Sequence, residues 1–244
     1  FVGIMMAMSG LPVTIRLLDP PLHEFLPDRT DLMVEVALGK ERNEDVSRQE
    51  LLLSAVDRLH ESNPMLGLRG VRLGLVVPGL FPMQVRAIAQ AAITRMRAGG
   101  NPKVEIMIPL VGTLEELKLV KDEIVDEINT VFKEKKSKIK YMVGTMIEVP
   151  RAALTADQIA KEAEFFSFGT NDLTQMTFGF SRDDIESRMM PAYLEAGLLK
   201  RNPFETIDQS GVGELVFLAA ERGRKVKRSL KLGVCGEHGG DGRS

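Results

Sequence analysis

The chain is poor in residues on which several classes of protein depend. It has one cysteine, Cys235, no tryptophan and only two tyrosines among its 244 residues. A single cysteine cannot form a disulfide within the chain, which favours a reducing compartment, either the cytoplasm or an organelle such as a plastid or a glycosome. The scarcity of Trp and Tyr leaves few platforms on which nucleic-acid bases could stack.

An excess of one charge and long apolar runs are also lacking. The formal net charge is -2, whereas binding to nucleic acid or to an anionic membrane favours a basic patch, so the sequence predicts neither partner. No apolar run approaches the roughly 18 residues that a membrane-spanning helix requires. The apolar opening stretch, residues 1–11, has no starting Met and no basic leader, so we expect the chain to be the interior of a longer one.

What the chain does contain is an alternation of short apolar runs with longer amphipathic segments. Hydrophobic residues make up 44% and charged residues 27%, as in an ordinary globular protein. The short runs predict buried parallel strands at Val13–Leu18, Gly70–Leu75, Val104–Leu110, Tyr141–Val149, Phe165–Phe168 and Lys231–Cys235. Helical spacing predicts helices at Glu50–His60, Pro82–Arg97, Thr113–Phe132 and Glu214–Arg224. Thr113 lies three residues before Glu116, which is a capping-box pattern.

Strands separated by helices predict repeated βαβ units and a parallel sheet. Charged residues cluster near the carboxyl ends of the predicted strands, which favours a barrel because those ends then share one rim. No GxGxxG phosphate turn occurs, which disfavours an open doubly wound sheet. With six predicted strands, two fewer than closure requires, we expect an α/β fold: one domain over residues 1–244 forming an incomplete (β/α)8 TIM barrel.

Two carboxylates follow neighbouring predicted strands. Glu148 ends the run GTMIE, and Asp172 follows FFSFGTN. Carboxylate oxygens at adjacent strand ends are suited to Mg²⁺, which keeps several waters and completes its coordination with substrate oxygens. The alternative is that both residues pair with nearby arginines.

Arginines form a second group at the predicted rim. Arg16 lies inside an apolar strand, where a charge needs a partner or a purpose. Arg69 and Arg72 follow Asn63-Pro64 in NPMLGLRGVRLG. Guanidinium groups bind phosphate or carboxylate through paired hydrogen bonds, so three of them beside a metal would favour a phosphorylated substrate. Ion pairing with acidic residues of the same rim is the alternative.

The remaining candidates are a turn and a thiol. Gly169, Thr170 and Asn171 could offer N–H groups to an anion, although turns favour these residue types in any case. Cys235 ends a predicted strand and could donate or accept a proton on such a rim, or could be a small buried hydrophobe. The nearby His238 could assist Cys235 or be part of a polar loop, and we favour the polar loop.

Several segments together resemble the pyruvate, phosphate dikinase family over nearly the whole chain. They are IRLLDPPLHEFLP (15–27), NPMLGLRGVRLG (63–74), EIMIPLVGT (105–113), the long stretch GTMIEVP to SRDD (144–184) and LGVCGEHGG (232–240). Phosphoenolpyruvate synthase and enzyme I of the sugar phosphotransferase system are similar around GTNDLTQ. The stretches DPPLHEFLP and CGEHGG favour the dikinase.

The resemblance implies a phosphoenolpyruvate/pyruvate site with Mg²⁺ as the cofactor. Cys235 would be the acid/base that exchanges a proton with C3 of the pyruvate enolate. The other implied roles are metal binding by Glu148 and Asp172, phosphoryl binding by Arg16 and Arg69, contact with substrate by Gly169, Thr170, Asn171 and Asp172, and, from the enzyme I branch, substrate contact by Arg182.

The resemblance also implies partners outside this chain. A phosphohistidine domain would exchange the phosphoryl group, and the family pairs as homodimers through this domain. Compared with the family, nothing like its RTEHM-like first strand occurs here and nothing like its final strand follows GEHGGDGRS, so the barrel is expected to lack its first and last strands. The family's nucleotide-binding and phosphohistidine domains are not matched either, so we expect no turnover of ATP by the chain alone. A phosphoenolpyruvate synthase or enzyme I relative, a Mg²⁺-dependent pyruvate-releasing lyase and an inactive truncated fragment are the alternatives.

Overall fold

Five parallel strands are hydrogen-bonded in the order in which they occur along the chain. The computed structural model describes residues 1–244, except for the side chains of Leu22 and His23. The strands are β1 (Pro12–Arg16), β2 (Lys103–Ile108), β3 (Tyr141–Ile147), β4 (Phe165–Gly169) and β5 (Lys231–Cys235). A doubly wound sheet reverses its strand order at a switch point. The unbroken order is therefore that of a singly wound barrel.

Twelve helices of the α type occur in the described chain, most of them between strands. They are α1 (Val2–Ala7), α2 (Arg29–Glu41), α3 (Ser47–Leu59), α4 (Gly70–Val76), α5 (Leu80–Arg97), α6 (Leu114–Lys135), α7 (Pro150–Leu154), α8 (Ala156–Ile159), α9 (Thr170–Phe178), α10 (Arg182–Ile185), α11 (Met189–Glu195) and α12 (Glu214–Val226). Shorter helical turns lie at Leu22–Phe25, Gln209–Gly213 and Glu237–Gly240. No single described helix meets the length and apolarity of a membrane span, although α4 and α5, bent by 106°, meet them jointly.

The sheet curls, as the contact between β2 and β5 demonstrates. These strands are three positions apart, which on a flat sheet is about 14 Å at the usual strand spacing. Nevertheless Lys231 Nζ of β5 donates to Glu105 Oε1 of β2 over 2.5 Å. Since closure takes eight strands and five are described, the predicted incomplete (β/α)8 barrel is confirmed.

Alternation along the strands separates the core from the barrel interior. On β2, Val104, Ile106 and Ile108 face the helices and belong to the main hydrophobic core. Met107 of the same strand faces inward, where it packs in a small cluster with Met146 and Phe165. This period of two places every other strand residue inside the barrel, and so determines which side chains can reach a site there.

Local sequence features account for where helix α6 begins and for which of its faces is buried. The Thr113 side chain accepts from the Glu116 backbone N–H, and Glu116 reaches back to the Thr113 N–H, which is the predicted capping box. Apolar residues spaced three and four apart bury one face against the sheet. They are Leu117, Val120, Ile124, Ile128 and Val131.

One predicted strand is wrong. The run Gly70–Leu75 forms α4, whose buried residues Gly70, Val71, Leu73 and Gly74 have helical spacing. Short apolar runs cannot be assigned by periodicity alone, because both element types bury them. Within α4, Gly74 lies so close to Phe81 that a Cβ there would be 2.2 Å from the ring. The other five predicted strands and all four predicted helices are confirmed, with bounds that differ by at most three residues.

The buried face of α6 can be tested with two identical substitutions on the one helix. Leu117→Ala should lower the free energy of unfolding by about 2–5 kcal/mol, because Leu117 is fully buried and leaves a cavity. Leu119→Ala is the control, since Leu119 is 63% exposed, and should change it by about 0.5 kcal/mol or less. Urea denaturation measures both, and equal losses would contradict this orientation of α6.

Candidate functional site

A pocket of about 290 Å³ lies at the carboxyl ends of the strands. Every strand contributes to it, because the curled sheet brings five strand ends to one rim. Its lining residues are Arg16, Met107, Met146, Glu148, Gly169, Thr170, Asn171, Asp172, Cys235 and Gly236. Of the residues to which the resemblance assigned a role, Arg69 and Arg182 do not line the pocket, but both contact residues that do.

Glu148 is the most deeply buried acid of the pocket, with 1% of its surface exposed. Its Oε1 accepts a hydrogen bond from the Leu110 N–H over 2.6 Å. Burial raises the pKa of Glu148, and the neighbouring carboxylates of Asp172 and Asp19 add to this effect. The Leu110 N–H and Arg69 oppose it, and the net pKa is about 8. In the metal-free protein this carboxyl group is therefore protonated near neutral pH.

Two backbone features allow Glu148 its position. A Cβ on Gly169 would lie 2.6 Å from Glu148 Oε2, so only glycine fits at the end of β4. Leu110, fully buried, has a φ of 60°, which is costly for a residue with a side chain. This backbone turns the Leu110 N–H toward the carboxylate, a contact that no sequence pattern indicated.

Arg69 joins two acids behind the pocket. Its Nη1 and Nη2 each donate to one oxygen of Asp172 over 3.1 Å, and Nη2 also donates to Asp19 Oδ2 over 2.6 Å. Burial lowers the pKa of Arg69. The hydrogen bonds that its guanidinium donates to Asp172 and Asp19 raise the pKa by more, so the net shift is upward. The ion pairing considered as an alternative is thus present, and Arg69 stays charged.

Arg16 and Arg72 have different surroundings. Arg16 projects from the last position of β1 with 44% of its side chain exposed, and its Nη1 lies 3.0 Å from Asp19 Oδ2. Arg72 donates instead to the carbonyls of Leu66 and Gly67 and does not line the pocket. The sequence also missed Asp19 as a member of this site. Its position three residues after a strand arginine was the available signal, because two clustered arginines need counter-ions.

Cys235 closes the pocket on the side of β5. Its thiol donates to the Phe168 carbonyl over 3.4 Å. Burial raises the pKa of Cys235 above its usual range, a hydrogen bond with Ser167 opposes this, and the Glu148 carboxyl group adds to it. The thiol therefore carries its proton at neutral pH, which suits a proton donor.

Arg182 lies at the rim. Its Nη1 donates to Asn171 Oδ1 over 3.1 Å and to Glu237 Oε1 over 2.8 Å. Its guanidinium also lies over the ring of Phe204, 5.6 Å from the centroid. The interpretation of His238 as polar loop is wrong: it is buried, with 4% exposed, and contacts Thr170.

The donor set fits a magnesium ion. No group of three or more His, Cys, Asp or Glu side chains with metal-binding geometry occurs among the described residues. Mg²⁺ in enzymes is nevertheless held by one or two carboxylates, with water and substrate oxygens completing the octahedron. Glu148 and Asp172 line one pocket, and repulsion from Asp172 contributes to the raised pKa of Glu148. A divalent cation between them would relieve that repulsion.

Comparison with known proteins finds a matching family model and several similar enzymes. A family model described as "PEP-utilising enzyme, PEP-binding domain" matches residues 1–244. The chain is 57% identical over 241 residues to pyruvate, phosphate dikinase 1, chloroplastic, of Oryza sativa subsp. japonica, covering 99% of this chain and 25% of that protein. It is 56% identical over 243 residues to the chloroplastic enzyme of Arabidopsis thaliana, with the same coverage.

The similarity extends to enzymes whose names carry no organelle. Pyruvate, phosphate dikinase 2 of Zea mays is 56% identical over 241 residues, with 99% of this chain and 27% of that protein covered. The chain thus spans about a quarter of the length of these relatives. A citrate lyase structure from Burkholderia xenovorans LB400 aligns with 93% of this chain and 64% of its own at 17% identity, but its TM-score of 0.41 is too low to carry an argument.

The raised pKa of Glu148 makes stability depend on pH. The folded state prefers the protonated carboxyl group, so this contribution is complete below the ordinary pKa of 4.5 and is lost as the pH rises through about 8. Glu148→Gln keeps the shape without the charge. Between pH 5 and pH 9 the metal-free variant should lose less unfolding free energy than the parent, by on the order of a few kcal/mol.

Urea denaturation across this pH range measures the difference, without divalent cations. Glu123→Gln is the control, because Glu123 is an exposed residue of α6, and it should keep the pH slope of the parent. An unchanged slope in Glu148→Gln would show that Glu148 does not titrate as its burial requires.

Proposed function

Because this chain belongs to the PEP-utilising enzyme family, matching its PEP-binding domain over residues 1–244, we propose that its pocket binds phosphoenolpyruvate and pyruvate within a pyruvate, phosphate dikinase. One observation carries the proposal: Arg16, Glu148, Asp172 and Cys235, from distant parts of the sequence, line one pocket. The chemistry is the interconversion of pyruvate and phosphoenolpyruvate through the pyruvate enolate. The relatives compared above are dikinases, which favours this activity over that of a synthase, enzyme I or a lyase.

The arginines and the acids would bind different parts of the ligand. Arg16 is the accessible cation, and a phosphoryl group would replace part of its contact with Asp19. Arg69 is held in place by Asp19 and Asp172, so it supplies fixed positive charge directly behind the pocket. Phosphoryl transfer requires mainly such positioning and neutralisation of charge.

Glu148 and Asp172 would hold Mg²⁺, as their shared pocket supports. When bound, the ion supplies positive charge that stabilises the enolate oxygen, worth several kcal/mol. Thr170 and Asn171, at the start of α9, would contact the substrate together with Gly169, and Arg182 would approach it from the rim.

Cys235 is proposed as the acid/base. Its raised pKa keeps the thiol protonated, so it can give a proton to C3 of the enolate as pyruvate forms. In the reverse direction the resulting thiolate removes a proton from the methyl group. Cys235 lies on β5, opposite the arginine of β1, so protonation and phosphoryl binding occur at different sides of one pocket.

The proposal includes partners beyond the described chain. The phosphoryl group would pass to and from a phosphohistidine on another domain, and the protein would pair as a homodimer. We also propose a reducing compartment, because Cys235 must stay a free thiol to act. A plastid is the organelle favoured by the chloroplastic relatives.

The role of Cys235 is tested by exchange of the pyruvate methyl protons with deuterium in the presence of Mg²⁺. Cys235→Ala should lower the exchange rate about 10²–10⁴-fold, the usual contribution of a general acid/base. Its binding of Mg²⁺ and oxalate, an analogue of the enolate, should persist as a raised thermal midpoint, because saturation a hundredfold above Kd adds about 2.7 kcal/mol. Full exchange in this variant would remove Cys235 from the mechanism.

The role of Arg16 is tested by affinity. Arg16→Ala should weaken the binding of phosphoenolpyruvate roughly tenfold to a hundredfold, which corresponds to one hydrogen bond between charged groups. The affinity for oxalate should change less, because oxalate has no phosphoryl group. Titration calorimetry with Mg²⁺ measures both constants.

Arg29→Ala is the matched control for Arg16→Ala. Arg29 is also paired with an aspartate, Asp57, and is similarly exposed at 48%, but it lies on α2 outside the pocket. It should leave both affinities unchanged. Normal affinity of Arg16→Ala for phosphoenolpyruvate would count for a lyase, which needs no phosphate-binding arginine.

A further inference from the structure

His238 lies beneath the proposed site without lining it. His238 is buried, with 4% of its surface exposed. It lies on the short helical turn Glu237–Gly240 that follows β5. Nδ1 lies 2.7 Å from Thr170 Oγ1, and Nε2 lies 2.8 Å from the Pro203 carbonyl oxygen. The ring therefore joins three segments: the loop after Cys235, the first residue of α9 and the loop containing Pro203.

The partners determine where the ring carries its proton. The Pro203 carbonyl can only accept, so Nε2 must be protonated to form the 2.8 Å contact. In a neutral ring Nδ1 is then an acceptor, and the Thr170 hydroxyl must donate to it. The opposite neutral tautomer would place the lone pair of Nε2 against that of the carbonyl oxygen, which is unfavourable.

The same hydroxyl has a second possible acceptor. Thr170 Oγ1 lies 3.2 Å from the Cys235 carbonyl oxygen, which is longer than its 2.7 Å contact with the imidazole. The loop reaches this position because Gly236 has a φ of 95°, and a Cβ there would lie only 3.2 Å from Thr170 Oγ1. The single hydroxyl proton thus decides whether Thr170 is bound to His238 or to the backbone of Cys235.

We propose that His238 is a positioning residue whose neutral, Nε2-protonated ring accepts a hydrogen bond from the Thr170 hydroxyl and so holds the Cys235 loop against the start of α9. This rests on the proposed function, in which Cys235 transfers the proton and α9 carries Asn171 and Asp172. With its proton engaged, the Thr170 hydroxyl offers only lone pairs to the pocket. Within residues 169–172 the donors to a bound anion are then the backbone N–H groups and the Asn171 amide, so His238 also affects the hydrogen bonds that this segment can offer.

The tautomer can be observed in the unmodified protein, independently of activity. The chain contains three histidines, so long-range ¹H–¹⁵N correlation spectra can be assigned by comparing the parent with His238→Gln and with His60→Gln, an exposed control. We expect the pattern of an Nε2-protonated neutral ring for His238 at neutral pH. An Nδ1-protonated ring, or an imidazolium, would overturn the proposal.

Two substitutions separate the two contacts of the ring, which are donation to the Pro203 carbonyl and acceptance from the Thr170 hydroxyl. His238→Gln keeps a donor that can reach the Pro203 carbonyl but loses the acceptor for Thr170, whereas His238→Asn offers an acceptor near the position of Nδ1 and loses that donor. We expect His238→Gln to lower kcat for methyl exchange about tenfold to a hundredfold, as is typical for partners of site residues, with a smaller change in KM. His238→Asn should retain more of kcat.

A double-mutant cycle shows whether His238 acts through Thr170. Thr170→Val removes the hydroxyl and nearly keeps the shape, so His238→Gln should cost little further kcat in that background. Independent, multiplying losses would mean that His238 only stabilises the fold and would overturn the proposal. Unfolding free energies of all variants are compared alongside. If the parent itself shows no exchange, the proposed function fails, while the tautomer measurement still decides the state of the ring.

Discussion

The buried guanidinium of Arg69 is the interaction on which the site depends. It joins Asp19, after β1, to Asp172, at the start of α9, although these acids are far apart in the chain. Removing one member of a buried ion pair typically costs about 3–5 kcal/mol, because the remaining charge has no solvent to stabilise it. The same cation allows three carboxyl groups, Asp19, Glu148 and Asp172, to lie close together at the strand ends.

That concentration of acid has a chemical consequence. Burial and the neighbouring acids raise the pKa of Glu148, so in the metal-free pocket the Glu148 carboxyl group is protonated near neutral pH. Binding of a divalent ion near neutral pH would then release that proton. The raised pKa of the Cys235 thiol follows from the same shielding from water. The proposed affinity for metal and the proposed role of Cys235 as a proton donor therefore rest on one feature, the burial of these groups at the carboxyl ends of a curled sheet.

Prediction succeeded where a single chemical requirement selects the residue. The capping box of Thr113 and Glu116 specified where α6 begins. The two faces of β2 were not predicted, because its run was interpreted as apolar on both faces, and only the structure separates Ile106 from the inward Met107. Prediction failed at Gly70–Leu75, where a short apolar run is compatible with a strand or a helix. His238 was misjudged because a histidine among glycines has the composition of an exposed loop, whereas its burial depends on Thr170 and Pro203.

The sequence alone determined the family resemblance, the α/β class and the residues that could do chemistry, because periodicity, helix caps and local motifs depend on neighbours in the chain. Only the tertiary structure decided which of those residues share a pocket and what each of them binds. Arg16 could be recognised from its apolar strand, but its partner could not be chosen without distances. The ion pairs, the pKa of Glu148 and the proton of His238 depend on burial and on contacts between residues remote in sequence, since electrostatic interactions vary with distance and with exclusion of water.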